Sequence, residues 1–246
     1  DGIKNSKADS LGFKHNDVAA LEQALQQAKG LKYVVGESVY SMDGDIAPLK
    51  EIAALCKQYD AGLIVDEAHA TGVYGNRGEG LVGQLGLEDA CLARIHTYGK
   101  AMGVHGAAIV CSNDLKAFLV NYCRAFIYTT SMAFHSLAAI KCAYQQLENA
   151  ADNRERLFGL IKLLRNNIQP SDKFTLIEGN SPVQSIVVVG NNNVKAFAQS
   201  LQAQGFDVRP ILTPTVAKGQ ERIRICLHSF NTEQEVFNLA EAINKL

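Results

Sequence analysis

The chain has 246 residues, 47% of them hydrophobic and 20% charged, with 24 basic and 25 acidic residues for a formal net charge of -1. These values fit one large or two smaller globular domains with an adequate core. The even charge balance gives no electrostatic basis for binding nucleic acid or an anionic membrane, and no apolar stretch is long enough to span a bilayer.

Six cysteines occur without a Cys-x-x-Cys pair, and several sit in apolar runs. That pattern predicts reduced, buried thiols in a cytoplasmic protein rather than a disulfide frame or a zinc site. The sequence opens Asp1-Gly2-Ile3, with neither an initiator Met nor a signal pattern, so it is expected to begin inside a longer chain.

In chain order, Asn16 or Asp17 can cap a helix with apolar positions Val18, Leu21 and Leu25. Residues 33–37 read as a strand, and Pro48 suits the N-terminus of a helix carrying Ile52, Leu55 and Cys56. Strands are predicted over 62–66, 92–97 and 107–111. This alternation argues for an α/β domain with a mainly parallel sheet. Long helices follow over 133–149 and 153–167, then a strand over 184–189, a helix over 194–204, a strand over 222–227 and a helix over 232–246. Residues 191–193, Asn-Asn-Asn, read as a short polar turn. The change in character places a domain boundary near 150, giving domains 1–150 and 151–246, the second a small α+β domain.

Five clusters could carry chemistry. Asp66-Glu67-Ala68-His69 follows a strand, where ligands bind in parallel sheets; an Asp there can equally cap the next turn. Lys100 stands alone as a cation of fixed charge in the small and apolar run 95–110. Most lysines are surface charges, but a desolvated lysine can form a Schiff base. Ser41 lies in a turn rich in Asp and Gly. Thr129 and Thr130 precede a helix, where hydroxyls cap it or hold a phosphate. Arg222 and Arg224 share one strand face, as surface ion-pair partners or as a clamp for a carboxylate.

The stretches ESVYSMDGDIAPL (37–49), VDEAHATGVYGNRGEG (65–80), HTYGKAMGVHGAAI (96–109), FIYTTSM (126–132) and RPILTPTVAKGQERIRICL (209–227) stand in order along the chain. Together they resemble the α-oxoamine synthases, fold-type I enzymes that use pyridoxal 5'-phosphate (PLP). The resemblance implies the PLP-binding large domain of that fold, incomplete here, followed by the smaller domain. It implies that Lys100 carries the cofactor and moves the α-proton, Asp66 pairs with the pyridine nitrogen and His69 bonds the phenolic oxygen. Ser41 would lie beside the ring, Thr97 would contact the phosphate, and Thr129 or Thr130 would reach the phosphate of a neighbouring subunit. Arg224 would bind the amino-acid carboxylate.

The family condenses an amino acid with an acyl-CoA or acyl-carrier-protein thioester, as a homodimer. The stretch RIRICLHSF (222–230) is most similar to the branch that uses L-alanine and a pimeloyl thioester for biotin biosynthesis, with the branches that make 2-amino-3-ketobutyrate, 5-aminolevulinate and 3-ketosphinganine as the alternatives within the family. Two departures stand out: Ala133-Phe134-His135 follow the Thr-Thr-Ser run where the family usually has one or two prolines, and Ala217 stands where a proline is common. The family's N-terminal part, which brings a glycine-rich segment and a ring-stacking side chain, is absent from these residues. The 246 residues alone are therefore expected to bind the cofactor poorly and to be inactive.

Three other readings compete. A DEAH helicase needs a P-loop, and the Gly99-Lys100 pair lacks both the upstream glycine and the following hydroxyl. A metal-dependent hydrolase would use Asp66 and His69, but the histidines show no His-Glu-x-x-His spacing. An inactive structural homologue is opposed by the presence of Lys100, Asp66 and His69 together.

Overall fold

A computed structural model describes residues 2–246. The chain divides into two compact units, residues 1–38 with 47–147, and residues 39–46 with 148–246. The second unit thus includes a short segment from early in the sequence.

The first unit begins with α1 (Gly2–Asn5) and α2 (Val18–Gln27). Asp17 caps α2 by accepting from Ala20 N at 2.9 Å, and Leu21 and Leu25 are its buried positions. Then come β1 (Lys32–Glu37), α3 (Leu49–Gln58), β2 (Ala61–Asp66), α4 (Leu81–Gln84), β3 (Cys91–Thr97) and β4 (Ala107–Cys111). Pro48 stands at the N-cap of α3, as expected, since its fixed φ suits a helix start and no amide is lost there. Helices α5 (Asn113–Tyr122), α6 (Arg124–Ile127) and α7 (Phe134–Glu148) complete the run.

The sheet order is β1-β2-β3-β4; β1 pairs with β2 and β2 with β3 in parallel, whereas β4 is antiparallel to β3. The antiparallel strand follows from the short 98–106 connection, because a parallel return needs a crossover. Leu63 and Val65 of β2 are 2% and 1% exposed, so the core of the unit runs along this strand.

In the second unit α8 (Ala151–Asn167), β5 (Thr175–Leu176), β6 (Val183–Val187), α9 (Asn191–Gln202), β7 (Arg209–Ile211), β8 (Arg222–Cys226) and α10 (Glu233–Asn244) form an α+β arrangement. Its sheet is antiparallel throughout, in the order β5-β6-β8-β7. Leu164, Ile186, Val194, Leu201, Ile223 and Ile243 are fully buried between sheet and helices. A capping box fixes the start of α10: Glu235 N donates to Thr232 Oγ1, and Thr232 N to Glu235 Oε2.

Two expectations need correction. Residues 191–193 are not a free turn but the first turn of α9. Gly190 at φ +98° turns the chain into the helix, and Asn193 Nδ2 donates back to Val189 O at 2.9 Å. The six cysteines are all free, but Cys142 and Cys226 are exposed rather than buried. Burial does push the Cys56 and Cys91 thiols up to about 11, which keeps both protonated at neutral pH. Among the described residues, no helix is long and apolar enough to cross a membrane.

Candidate active site

The C-terminal ends of β1, β2 and β3 lie side by side. Glu37 is the register partner of Asp66, and Asp66 of Ile95. Register partners share a sheet face and alternate residues return to it. Asp66 and Thr97 therefore lie on one face, at the end of the sheet where open α/β folds bind ligands. His96 lies on the other.

The turn after β2 is dense with hydrogen bonds. Asp66 Oδ1 accepts from Ala68 N at 2.8 Å, so this carboxylate does cap its own turn. Glu67 is fully buried, and its carboxylate accepts from Val82 N at 3.2 Å and 3.4 Å, at the start of α4. Burial raises its pKa above the usual carboxylate value, while the Ser38 hydroxyl, the Val82 N–H, Arg94 and the Leu81 N–H oppose the shift. Gly80, at φ +105°, closes this turn: a Cβ there would collide with the Glu67 carboxylate.

Thr71 joins the two strand ends from beneath. Its hydroxyl donates to Glu67 O at 2.8 Å and lies 2.9 Å from His96 Nδ1. With that hydroxyl proton committed to the carbonyl, Nδ1–H is the donor to Oγ1, which sets the imidazole tautomer. Burial, aided by the Arg94 charge, lowers the His96 pKa; Asp66 opposes the shift. His96 is therefore a neutral histidine at pH 7, packed behind the strand that leads to Lys100.

Lys100 sits in the connection from β3 to β4. Tyr98 N donates to Gly106 O at 2.9 Å, Val104 N to Tyr98 O at 3.0 Å and Gly103 N to Lys100 O at 3.0 Å. The Tyr98 ring is buried, edge-on to Tyr144 at 5.7 Å, with their hydroxyls 3.2 Å apart. The two turns touch: a Cβ on Gly72 would lie 2.8 Å from Ala101 Cβ, beside Lys100. Only a glycine lets the Asp66–His69 turn pack this closely on the lysine turn. Lys100 itself is exposed. The desolvation expected from its apolar surroundings is thus not supplied by the described residues, although Met102 two positions on is buried.

The fit of a phosphorylated cofactor rests on Thr97. Its Oγ1 is buried and lacks a hydrogen-bond partner among the described residues. Buried hydroxyls are seldom left so, and a phosphoryl oxygen three residues before Lys100 would satisfy it. The half-buried Asp66 carboxylate on the same face suits a protonated ring nitrogen, and His69, also half-buried, follows three residues on. Among the described residues, Asp66 and His69 gather no third His, Cys, Asp or Glu at ligand distance. Thr129 and Thr130 are exposed, and Thr129 Oγ1 donates back to Ala125 O at 2.7 Å, closing α6 rather than capping α7.

In the second unit, Arg224 Nη1 donates to Ser41 O at 3.0 Å, which joins two predicted residues 183 positions apart. Arg222 is buried and forms an ion pair with the part-buried Asp43. Glu221, just before β8, accepts from Gly190 N, Gly219 N and the Thr213 hydroxyl. These bonds hold its carboxyl down at about 2 and fix the loop that leads into Arg222 and Arg224. Sequence reasoning passes over Glu67, Thr71, His96, Ser185 and Glu221. Of these, Glu67 and Thr71 stand in the 65–80 stretch, His96 heads the 96–109 stretch and Glu221 lies in the 209–227 stretch, whereas Ser185 lies outside every motif.

This sheet, with an acid and a lysine on adjoining turns past its strand ends, agrees with what comparison of the whole chain finds. Residues 2–243 match the family described as aminotransferase class I and II, and the chain belongs to that family. Among its relatives is an 8-amino-7-oxononanoate synthase of Emericella nidulans, 40% identical over 266 residues, covering 99% of this chain and 64% of that protein. A serine palmitoyltransferase from S. paucimobilis, solved with a bound PLP–myriocin aldimine, superposes with a TM-score of 0.92 at 27% identity, covering 99% of this chain and 62% of that one. An 8-amino-7-oxononanoate synthase structure from Francisella tularensis gives a TM-score of 0.83 at 29% identity, covering 99% and 70%. These neighbours establish the fold-type I transferase fold. The chain spans less than two thirds of the length of the curated relatives it matches first.

Proposed function

We propose that the full-length protein is a PLP-dependent α-oxoamine synthase of the 8-amino-7-oxononanoate type. It would condense L-alanine with a pimeloyl thioester of CoA or a carrier protein, with release of the thiol and CO2, in biotin biosynthesis. The observation that carries this reading is the buried, unpartnered Thr97 hydroxyl on the same sheet face as Asp66, with the Lys100 turn packed against the Asp66 turn. The names of the relatives support the branch, as does the ordered set of motifs.

Each residue then has a physical task. When bound, the cofactor supplies an electron sink for charge at the substrate α-carbon. Asp66 keeps a proton on the pyridine nitrogen, since a close carboxylate favours the charged form. His69 donates to the phenolic oxygen. Thr97 satisfies its hydroxyl on the phosphate. Lys100 would hold the cofactor's aldehyde carbon and, once substrate displaces it as a free amine, would accept and return the α-proton. Ser41 orients the ring, and Arg224 pairs with the amino-acid carboxylate through donors not used on Ser41 O.

The first unit, residues up to 38 with 47–147, would carry most cofactor contacts, and the second, residues 39–46 with 148–246, would supply Ser41 and Arg224. The protein acts as a cytoplasmic homodimer, in which Thr129 or Thr130 reaches the partner's phosphate. The strong exposure of Phe126, Tyr128 and Phe134 around them, 62%, 76% and 85%, supports an assembly that covers this surface. Thiol release from pimeloyl-CoA by the full-length protein tests the reading. L-alanine is the expected co-substrate; activity confined to glycine or L-serine would move the protein to another branch, and none with any amino acid would refute the synthase reading.

A further inference from the structure

Residues 39–46 are separated by about a hundred residues from the rest of their unit, yet they are built into it. Val39 bridges Ile46 in antiparallel fashion, Tyr40 N donates to Asp45 O at 3.0 Å, and Gly44 N to Tyr40 O at 2.8 Å, closing a hairpin. Three side chains of the antiparallel sheet grip three consecutive residues at its tip. Arg224 donates to Ser41 O at 3.0 Å, Ser185 Oγ donates to Met42 O at 2.7 Å, and Arg222 pairs with Asp43.

Ser185 and Arg224 are register partners across β6 and β8, and Arg222 lies two residues away on the same face. Ser185 is 1% exposed and Arg222 5%. Asp43 is only part-buried, but it supplies the acceptor for a buried guanidinium, and removing that acceptor takes away the guanidinium's charged partner. Gly44, at φ +76°, brings the hairpin down on β6 so closely that a Cβ would collide with Val183 O. A clasp that only closed the chain would need none of these bonds to come from Arg224. One does, and it ends on Ser41.

We propose that Asp43, Arg222 and Ser185 are positioning residues that seat Ser41 against Arg224. The side chain beside the cofactor and the side chain that receives the amino-acid carboxylate then form one rigid piece. This inference rests on the function proposed above and deepens it. In the full-length, PLP-loaded protein, the Kd of L-alanine is read from the visible absorbance change, with glycine and L-serine in parallel. Asp43→Ala is expected to weaken amino-acid binding roughly tenfold, because a small misplacement of a recognition group costs that order. Asp43→Asn, which keeps an acceptor in place, recovers most of the loss.

Ser185→Ala is expected to weaken binding roughly threefold, and it tests the same seating if Asp43→Ala does not fold. In an Arg224→Ala background, Asp43→Ala should add less than about twofold, because the group it seats is gone. A clasp with a purely structural role would lower the melting midpoint and leave the Kd of the folded protein unchanged. That result, or full additivity in the double variant, overturns the proposal. A wild-type protein that takes up no cofactor at Lys100 would instead defeat the functional reading.

Discussion

The turns that follow β2 and β3 leave the same end of one sheet, yet they are held in opposite ways. The β2 turn buries Glu67, Thr71, Val73 and Tyr74 and anchors its carboxylate on the start of α4. The β3 turn is closed by three backbone bonds and leaves Lys100 exposed. The acid side of the site is thus preorganised by side-chain contacts within the unit. The lysine side is held by backbone bonds, by buried Tyr98 and Met102 and by the packing of Ala101 on Gly72, with no hydrogen bond to the Lys100 amine among the described residues. The roles proposed above, a carboxylate that stays put and an amine that swings between two jobs, would call for this difference.

Several experiments on the full-length protein would sharpen or break that contrast. The largest effect is expected for Asp66→Ala: kcat should fall by about 10³-fold or more, roughly 4 kcal/mol, while the cofactor-free protein loses only the turn-capping bond to Ala68 N, about 1 kcal/mol. A small kinetic loss would mean that Asp66 serves only to cap its turn. Gly80→Ala comes next, at about 3 kcal/mol of stability by thermal melting, from a strained φ and a clash with Glu67. The corresponding change at Gly103, which has open space beside it, bears the backbone strain alone and should cost about 1–2 kcal/mol. Equal losses would remove the contrast.

Glu67 is a smaller test. Its folded pKa is raised, so the folded state holds the proton more tightly and stability is lost as pH rises from the unfolded carboxylate value through the folded one. Glu67→Gln should therefore be tolerated at neutral pH, within about 1 kcal/mol, whereas Glu67→Ala should cost about 2–3 kcal/mol by leaving Val82 N–H unpaired. His96 should give the least change and the opposite sign. Its folded pKa is lowered, so its contribution is complete above the unfolded value near 6.5 and is lost as pH falls below it. His96→Gln should flatten the acid limb of a melting-against-pH curve over that window; an unchanged limb would contradict a buried neutral imidazole.

Part of the architecture is legible in the sequence because β2 and β4 hold continuous apolar runs followed by a polar residue. β2, with Leu63 and Val65 before Asp66, is the clearest case. The two-residue β5 and three-residue β7 escape, being too short to show a period. Site chemistry divides in the same way. Asp66, His69, Thr97 and Lys100 stand in two short motifs, each beside a strand end. The anchoring contacts have no such signal: Glu67 meets Val82 fifteen residues away, and Ser185 meets Met42 across 143. Such pairs are made by the fold, and neither partner's neighbours in sequence announce them. Lys100 shows the limit of reading an environment from composition, since its apolar neighbours do not shield it.

The central claim is that Lys100 forms a Schiff base with the cofactor. The direct measurement is borohydride reduction of the full-length protein after pyridoxal phosphate is added, followed by peptide mapping by mass. A single phosphopyridoxyl adduct on Lys100, absent from Lys100→Ala, is the predicted result. Labelling spread over other lysines, or no stable adduct, would contradict the account.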